Sequence, residues 1–105
     1  MANSQMLKGI IDGCILQIIN MKEVYGYELA QSLESYGFEE LSEGTIYPLL
    51  LRMSKEELVS STLKKSTAGP KRKYYRLTDK GREELERFKA DWQRLDQSVN
   101  RLLLD

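Results

Sequence analysis

The pattern that most limits the fold lies in the last third of the chain. Leu85, Phe88, Trp92, Leu95, Val99 and Leu102 are spaced 3, 4, 3, 4 and 3 residues apart, which is the a/d spacing of a helical seam. Thr78 is a suitable N-cap for that helix, and Asp79 sits favourably in its first turn. A helix over 79–104 is about 39 Å long at roughly 1.5 Å per residue, longer than the roughly 30 Å width of a small domain. The chain has 105 residues, enough for one domain and not two. Part of the seam therefore has no partner within its own chain. The spacing predicts a homodimer, with those six residues at the subunit boundary.

The first half supplies the rest of a small helical core. Leu7, Ile10, Ile11, Cys14, Ile15, Ile18 and Ile19 form one apolar stripe, which predicts a helix over 7–19. Asn20-Met21-Lys22-Glu23 breaks it. Tyr27, Leu29, Ala30, Leu33 and Tyr36 predict a second, shorter helix that Gly37 can end. Ser42 is a good N-cap for a third helix, with Ile46, Leu49, Leu50 and Met53 as its apolar face. Pro48 lies beyond the first turn of such a helix, so the helix either starts later than Ser42 or bends at Pro48.

After Leu58 the pattern changes. Residues 58–63 are β-branched and short, 73–77 can pair with them, and Ser66-Thr67-Ala68-Gly69-Pro70 forms a turn cluster between. Charge segregates at the same point. Residues 1–57 carry a net −5, residues 58–78 a net +6 with no acid, and residues 79–105 a net −1. An acid-free basic block on a hairpin is an electrostatic footprint for a polyanion. Its members are Lys64, Lys65, Lys71, Arg72, Lys73 and Arg76. Strand alternation puts Lys71 and Lys73 on one face and Arg72 on the other. The plainer reading is a charged edge that blocks sheet aggregation, but an edge needs fewer charges and would mix their signs. Tyr74 and Tyr75 are adjacent, so one packs inward and one faces out.

Composition removes several classes. With no histidine, the commonest general base and transition-metal ligand is missing. Cys14 is the only cysteine, which excludes an intramolecular disulfide and fits a reducing cytoplasm. Within its isoleucine stripe it reads as a small buried hydrophobe rather than a redox sensor. No apolar run reaches membrane-span length. The N-terminus lacks a signal peptide's charged start and long apolar stretch: Lys8 comes late, and Asp12 and Gln17 interrupt the apolar residues after it. Glu83, Glu84 and Glu86 fall on the polar face of the last helix and read as solvated. No phosphate loop, nucleophile motif or metal cluster is present, so the expectation is a non-enzyme with no cofactor, no metal and no membrane partner.

Three helices followed by a hairpin is the order of a winged helix-turn-helix. Three stretches carry a more specific likeness: Tyr25-Gly26-Tyr27-Glu28-Leu29, Ser42-Glu43-Gly44-Thr45-Ile46-Tyr47-Pro48-Leu49-Leu50, and residues 69–78, Gly-Pro-Lys-Arg-Lys-Tyr-Tyr-Arg-Leu-Thr. Together with Leu7-Lys8-Gly9, their order and spacing closely resemble the signature of the PadR-like transcriptional regulators over about residues 7 to 92. Arg52 matches the family pattern at the end of the third helix. Met53-Ser54 replaces a Leu-Glu pair there, and Glu57 stands where glycine is common. The fold class expected is mainly α with a small β-hairpin, a winged helix-turn-helix over 1–78 plus a C-terminal dimerisation helix over 79–105. A single helix after the wing resembles the family's short type.

The resemblance implies that the third helix enters the major groove of double-stranded DNA. Its candidate contacts are Ser42, Gly44, Thr45, Tyr47 and Arg52. Arginine can read guanine edges, threonine a base or methyl group, and hydroxyls phosphate; Gly44 permits close backbone approach. Glu39, Glu40 and Glu43 oppose this by repelling phosphate, although Glu43 can accept from cytosine. The function expected is a homodimeric repressor on a pseudo-palindromic operator. The alternative is a winged-helix module that binds protein instead of DNA, which the acidic first half favours. Trp92 has two readings: interface core, or the lining of an apolar cavity between subunits for a planar aromatic effector, since some members of the family respond to such molecules.

Overall fold

The computed structural model describes residues 4–39, 41–67 and 69–104. Glu40 and Ala68, named above, lie outside them. The elements in chain order are α1 (Ser4–Leu7), α2 (Ile11–Met21), β1 (Val24–Tyr25), α3 (Gly26–Ser35), α4 (Glu43–Lys55), β2 (Val59–Ser66), β3 (Gly69–Leu77) and α5 (Asp79–Leu104). The strands form an antiparallel sheet in the order β1-β3-β2. The fold is mostly helical with a small sheet, as the sequence leads one to expect.

The core forms where the helical stripes converge. Ile15, Leu16, Leu29, Leu33, Ile46, Leu50 and Met53 are essentially inaccessible, and Val24, Tyr75, Leu77 and Leu85 close the cluster from the sheet and α5. The helix expected over 7–19 is broken: Lys8, Gly9 and Ile10 form a turn between α1 and α2. Leu7 is still buried, so its place in the apolar stripe is kept although the helix is interrupted.

Ser42 caps α4 as expected, its Oγ accepting from the Thr45 amide at 3.3 Å. The helix runs through Pro48 to Lys55 without starting later. Proline there cannot donate to the Gly44 carbonyl, and that carbonyl lies on an exposed first turn where water can serve it.

The departure at Glu57 is resolved by backbone geometry. Leu58 N donates to Met53 O at 2.9 Å and Glu57 N to Ser54 O at 3.1 Å, the paired bonds of a Schellman motif. Glu57 takes φ 62°, a left-handed conformation that glycine would enter without strain. Thr78 Oγ1 helps hold it there by donating to Glu57 O at 2.6 Å, and it accepts from Gly81 N at 3.0 Å as the cap of α5. The third-helix exit and the start of α5 are thus fastened together.

The hairpin is longer than the sequence indicates, with β2 and β3 paired from Val59↔Leu77 out to Lys64↔Arg72 and Ser66↔Gly69. The two-residue β1 escapes sequence reading altogether; it adds Val24↔Tyr75 and Tyr25↔Tyr74 on the other side of β3. A strand that short has no alternation to detect.

Helix α5 starts against the core and then leaves it. A Cβ on Gly13 would fall within the volume of the Phe88 ring, so α2 and α5 cross at near-contact. Beyond that crossing the seam is bare. The radius of gyration is 15.0 Å, against about 13 Å for a compact chain of this length. The long axis of 53 Å shows the same elongation. No helix among the described residues is long and apolar enough to cross a membrane.

Candidate nucleic-acid interface

The first half of α4 is the exposed element of the helix-turn-helix. Ser42, Gly44, Thr45 and Tyr47 all face solvent there, while Ile46 and Leu50 anchor the opposite face in the core. Ser42 and Thr45 share a hydroxyl contact of 3.2 Å, so their side chains sit in a fixed relation at the helix tip. A Cβ on Gly44 would meet only the Ser42 hydroxyl, at 3.8 Å. Nothing inside the fold requires glycine at that position, which leaves room for close approach from outside. Glu43 lies beside Gly26 and shares a small cavity of about 210 Å³ with Tyr47, Arg72 and Lys73.

Arg52 is placed differently from the sequence expectation. Its guanidinium donates to both oxygens of Asp12 at 2.8 Å and to Glu56 at 3.3 Å. This pair, in which Nη2 alone reaches both carboxylate oxygens, ties the C-terminal half of α4 to α2, and the hydrogen bond with Asp12 raises the arginine pKa further. Arg52 is therefore engaged within the chain and lies away from the helix tip that carries the other four candidates. Asp12 and Arg52 are forty residues apart, and no sequence pattern links them.

Register sorts the basic block into two faces. Residues directly opposite in an antiparallel pair share a face, and Lys64 opposes Arg72 while Ser60 opposes Arg76. Lys64, Arg72, Tyr74 and Arg76 therefore stand on the outer face, with Tyr25 from β1 beside Tyr74. Lys73 stands on the other face with Tyr75, which turns toward α4; Lys71 falls at the register shift between Lys64 and Ser66, where two residues of β3 face one of β2 and alternation no longer sets the face. Tyr75 packs inward and Tyr74 outward. The Arg72 guanidinium lies 4.4 Å over the Tyr25 ring, and the Tyr25 and Tyr74 rings meet edge-on at 5.3 Å. Among the described residues, Lys65, Lys71, Arg72 and Lys73 have no carboxylate within salt-bridge distance, whereas Lys64 and Arg76 both pair with Glu23. Glu23, in the break after α2, is a residue that sequence reading passes over.

The seam divides in two. Leu85, expected at a subunit boundary, is corrected: it is buried in the chain's own core because the first turns of α5 still lie on α2. Phe88 is half-buried against Gly13. Trp92, Leu95, Val99 and Leu102 are 42%, 57%, 43% and 83% exposed. An apolar cleft of about 550 Å³ opens between α2 and α5, with Cys14, Ile18, Phe88 and Trp92 among its walls. The Gln17 Oε1 atom, also in that wall, is buried without a hydrogen-bond partner. Burial pushes the Cys14 thiol above its ordinary pKa, which keeps it protonated at neutral pH. The described residues contain no group of three or more side chains suited to hold a metal ion.

Known proteins share this arrangement. The family described as "Transcriptional regulator PadR-like family" matches residues 15–87. A PadR-like transcriptional regulator of known crystal structure from Bacillus cereus is 60% identical, over 97% of this chain and 99% of that one, with a TM-score of 0.90. A transcriptional regulator from Streptococcus is 41% identical, over 95% and 98% of the two chains, at 0.86. A PadR family regulator from Clostridium difficile is 37% identical, over 89% and 97%, at 0.80. The fold is thus shared with these regulators, and the chain belongs to the PadR-like family of DNA-binding transcriptional regulators, which are not enzymes.

Proposed function

We propose that this regulator is a repressor that binds a pseudo-palindromic operator as a homodimer through residues 1–78, with 79–105 as its dimerisation helix. The observation that carries the reading is the exposed run of Trp92, Leu95, Val99 and Leu102 on a helix that has already left its own core. A second copy is the simplest cover for a self-complementary helical seam. Two-fold pairing would set two α4 tips at a fixed separation, which matches half-sites one or more helical turns apart.

In this reading Ser42, Gly44, Thr45 and Tyr47 meet base edges and nearby phosphates. Lys65, Lys71, Arg72 and Lys73 supply most of the phosphate contacts. Arg52 holds α4 on α2, so it positions the reading helix. The apolar cleft beside Trp92 takes a planar aromatic effector whose binding alters the dimer's geometry and releases DNA; such a switch requires that the ligand favour one geometry over the other.

The test is binding to the DNA upstream of the protein's own gene across a salt series. With about 6–10 phosphate contacts per dimer, affinity falls roughly 10³–10⁵-fold between 50 and 200 mM salt. Lys71→Ala with Lys73→Ala should weaken binding on every sequence alike and flatten that slope. Footprinting should show two symmetric protected half-sites. A single asymmetric footprint, or a slope untouched by the double substitution, overturns the arrangement.

A further inference from the structure

One half-buried carboxylate organises the outer face of the hairpin. Glu23 lies in the connection between α2 and β1, only 22% exposed, and two cations of the basic block converge on it. Lys64 reaches it from β2, its ammonium also lying 5.3 Å from the Tyr74 ring centroid. Arg76 reaches it from β3 at 3.5 Å. The three come from separate parts of the chain and meet across the whole width of the sheet, since β3 lies between β1 and β2.

We infer that Glu23 is a specificity-determining residue of this DNA-binding protein: it withholds Lys64 and Arg76 from DNA, so the hairpin offers phosphate four cations rather than six. The inference rests on the DNA-binding reading above. An exposed ion pair alone is a weak restraint, and a phosphate could displace it. This arrangement differs in three ways. One carboxylate serves two cations. The lysine ammonium lies over an aromatic ring, which adds a cation–π attraction. Most important, transferring both cations to DNA would leave the Glu23 carboxylate without either partner beside a polyanion, and that repulsion opposes the transfer.

The consequence concerns discrimination. Phosphate contacts strengthen binding to every sequence, whereas base contacts favour one. A protein with two more free cations per protomer gains on random DNA as much as on its operator, and spends more of its time on the wrong sites. An internal carboxylate that limits the cation count holds down non-specific affinity without touching the α4 tip. Specificity is a difference of affinities, and this device acts on the unwanted member of the pair.

The experiment compares the full-length wild-type protein with Glu23→Gln and Glu23→Asp on a random duplex and on the upstream DNA, over 50–200 mM salt. Each added phosphate contact steepens the log–log salt slope by about 0.9. Glu23→Gln is expected to bind random duplex more tightly at 50 mM and to steepen its slope by about 3.6 for two freed cations per protomer of a dimer. It should also reduce the ratio of operator to random affinity, and Glu23→Asp should restore wild-type behaviour. Adding Lys64→Gln to Glu23→Gln should remove about half or more of the gain. A Glu23→Gln slope equal to or shallower than wild type overturns the inference, because a merely structural role would weaken binding rather than steepen its salt dependence. Should Glu23→Gln fail to fold, Lys64→Gln in the wild-type background decides. An unchanged slope supports the withheld cation, and a flattened one shows that Lys64 already binds phosphate and overturns it. Wild-type protein without salt-dependent duplex binding would overturn the DNA-binding reading itself, a result distinct from all of these.

Discussion

At the scale of single residues, three positions show what a sequence can and cannot convey. Glu57 is legible as a departure from the family pattern, but its consequence is not, because a residue name carries no φ. The structure puts it at φ 62° inside a complete set of Schellman bonds. A glutamate in that conformation crowds its Cβ against the backbone, at a cost of about 1–2 kcal/mol that glycine avoids. Glu57→Gly is therefore expected to stabilise the chain by about 1 kcal/mol, offset in part by glycine's freedom in the unfolded state. Urea unfolding measures this, and a loss of stability would mean that the Glu57 side chain makes a contact of its own. Gly44 is the reverse case. Its backbone is helical and space beyond it is open, so Gly44→Ala should stabilise α4 by up to about 1 kcal/mol on propensity alone. If the α4 tip approaches DNA at that point, the same methyl should weaken operator binding. Higher stability with lower affinity identifies a glycine kept for the interface; higher stability with unchanged affinity removes Gly44 from it. Arg52 shows the limit of reading contacts from residue type. Arginine on a DNA-reading helix is a reasonable base contact by chemistry, yet Asp12, forty residues earlier, claims it. Nothing local to either residue announces that pair.

Among the elements, the helices are the most legible in sequence because burial imposes a period that survives local interruption. The break at Lys8–Ile10 escapes detection for that reason: Leu7 keeps its place on the apolar stripe although α1 and α2 are separate. The hairpin is legible in place but not in length. Lysine runs have low strand propensity, and Lys64, Lys65 and Lys71–Lys73 extend the two arms only because the arms pair across the ladder. The tightest joint is the crossing of α2 and α5, where the Gly13 Cα faces the Phe88 ring. Gly13→Ala places a methyl inside that ring's volume, so Phe88 must leave its position and α5 must shift. The expected cost is about 1–3 kcal/mol, typical of overpacking. Gly13→Ala combined with Phe88→Leu, which vacates the ring, should recover part of the loss. Thermal unfolding of the two variants tests this, and equal destabilisation in both would mean that the methyl collides with something other than Phe88.

The whole molecule carries an apolar surface that the single chain cannot cover. The seam from Trp92 onward lies beyond the α2–α5 crossing, and its spacing in the sequence points to a subunit boundary. The structure confines that prospect to the far half of α5, since Leu85 belongs to the core. Leu95→Glu with Val99→Glu places charge on both central positions without touching the winged domain. If a second copy covers the seam, sedimentation should show the wild type as a dimer and the variant as a folded monomer with weaker operator affinity. A wild-type monomer at micromolar concentration would remove the symmetric-operator arrangement. Trp92 then decides what the boundary is for. A large indole is awkward in a tight two-helix contact, where branched aliphatic side chains pack more readily. It also borders a cleft of about 550 Å³, within the range of small-molecule sites. That wall holds an orphaned acceptor, Gln17 Oε1. A planar aromatic compound carrying one hydrogen-bond donor would satisfy both features, with ring stacking adding roughly 0.5–1.5 kcal/mol beyond the area buried. Trp92 is the only tryptophan, so its emission reports this site alone. Titration with such compounds should quench it and lower operator affinity in parallel, and Trp92→Leu should abolish the response while still binding DNA. Quenching without loss of DNA binding would mean a pocket that is no switch. No quenching across a broad panel, with Trp92→Leu repressing normally, would make Trp92 plain packing between two copies of α5.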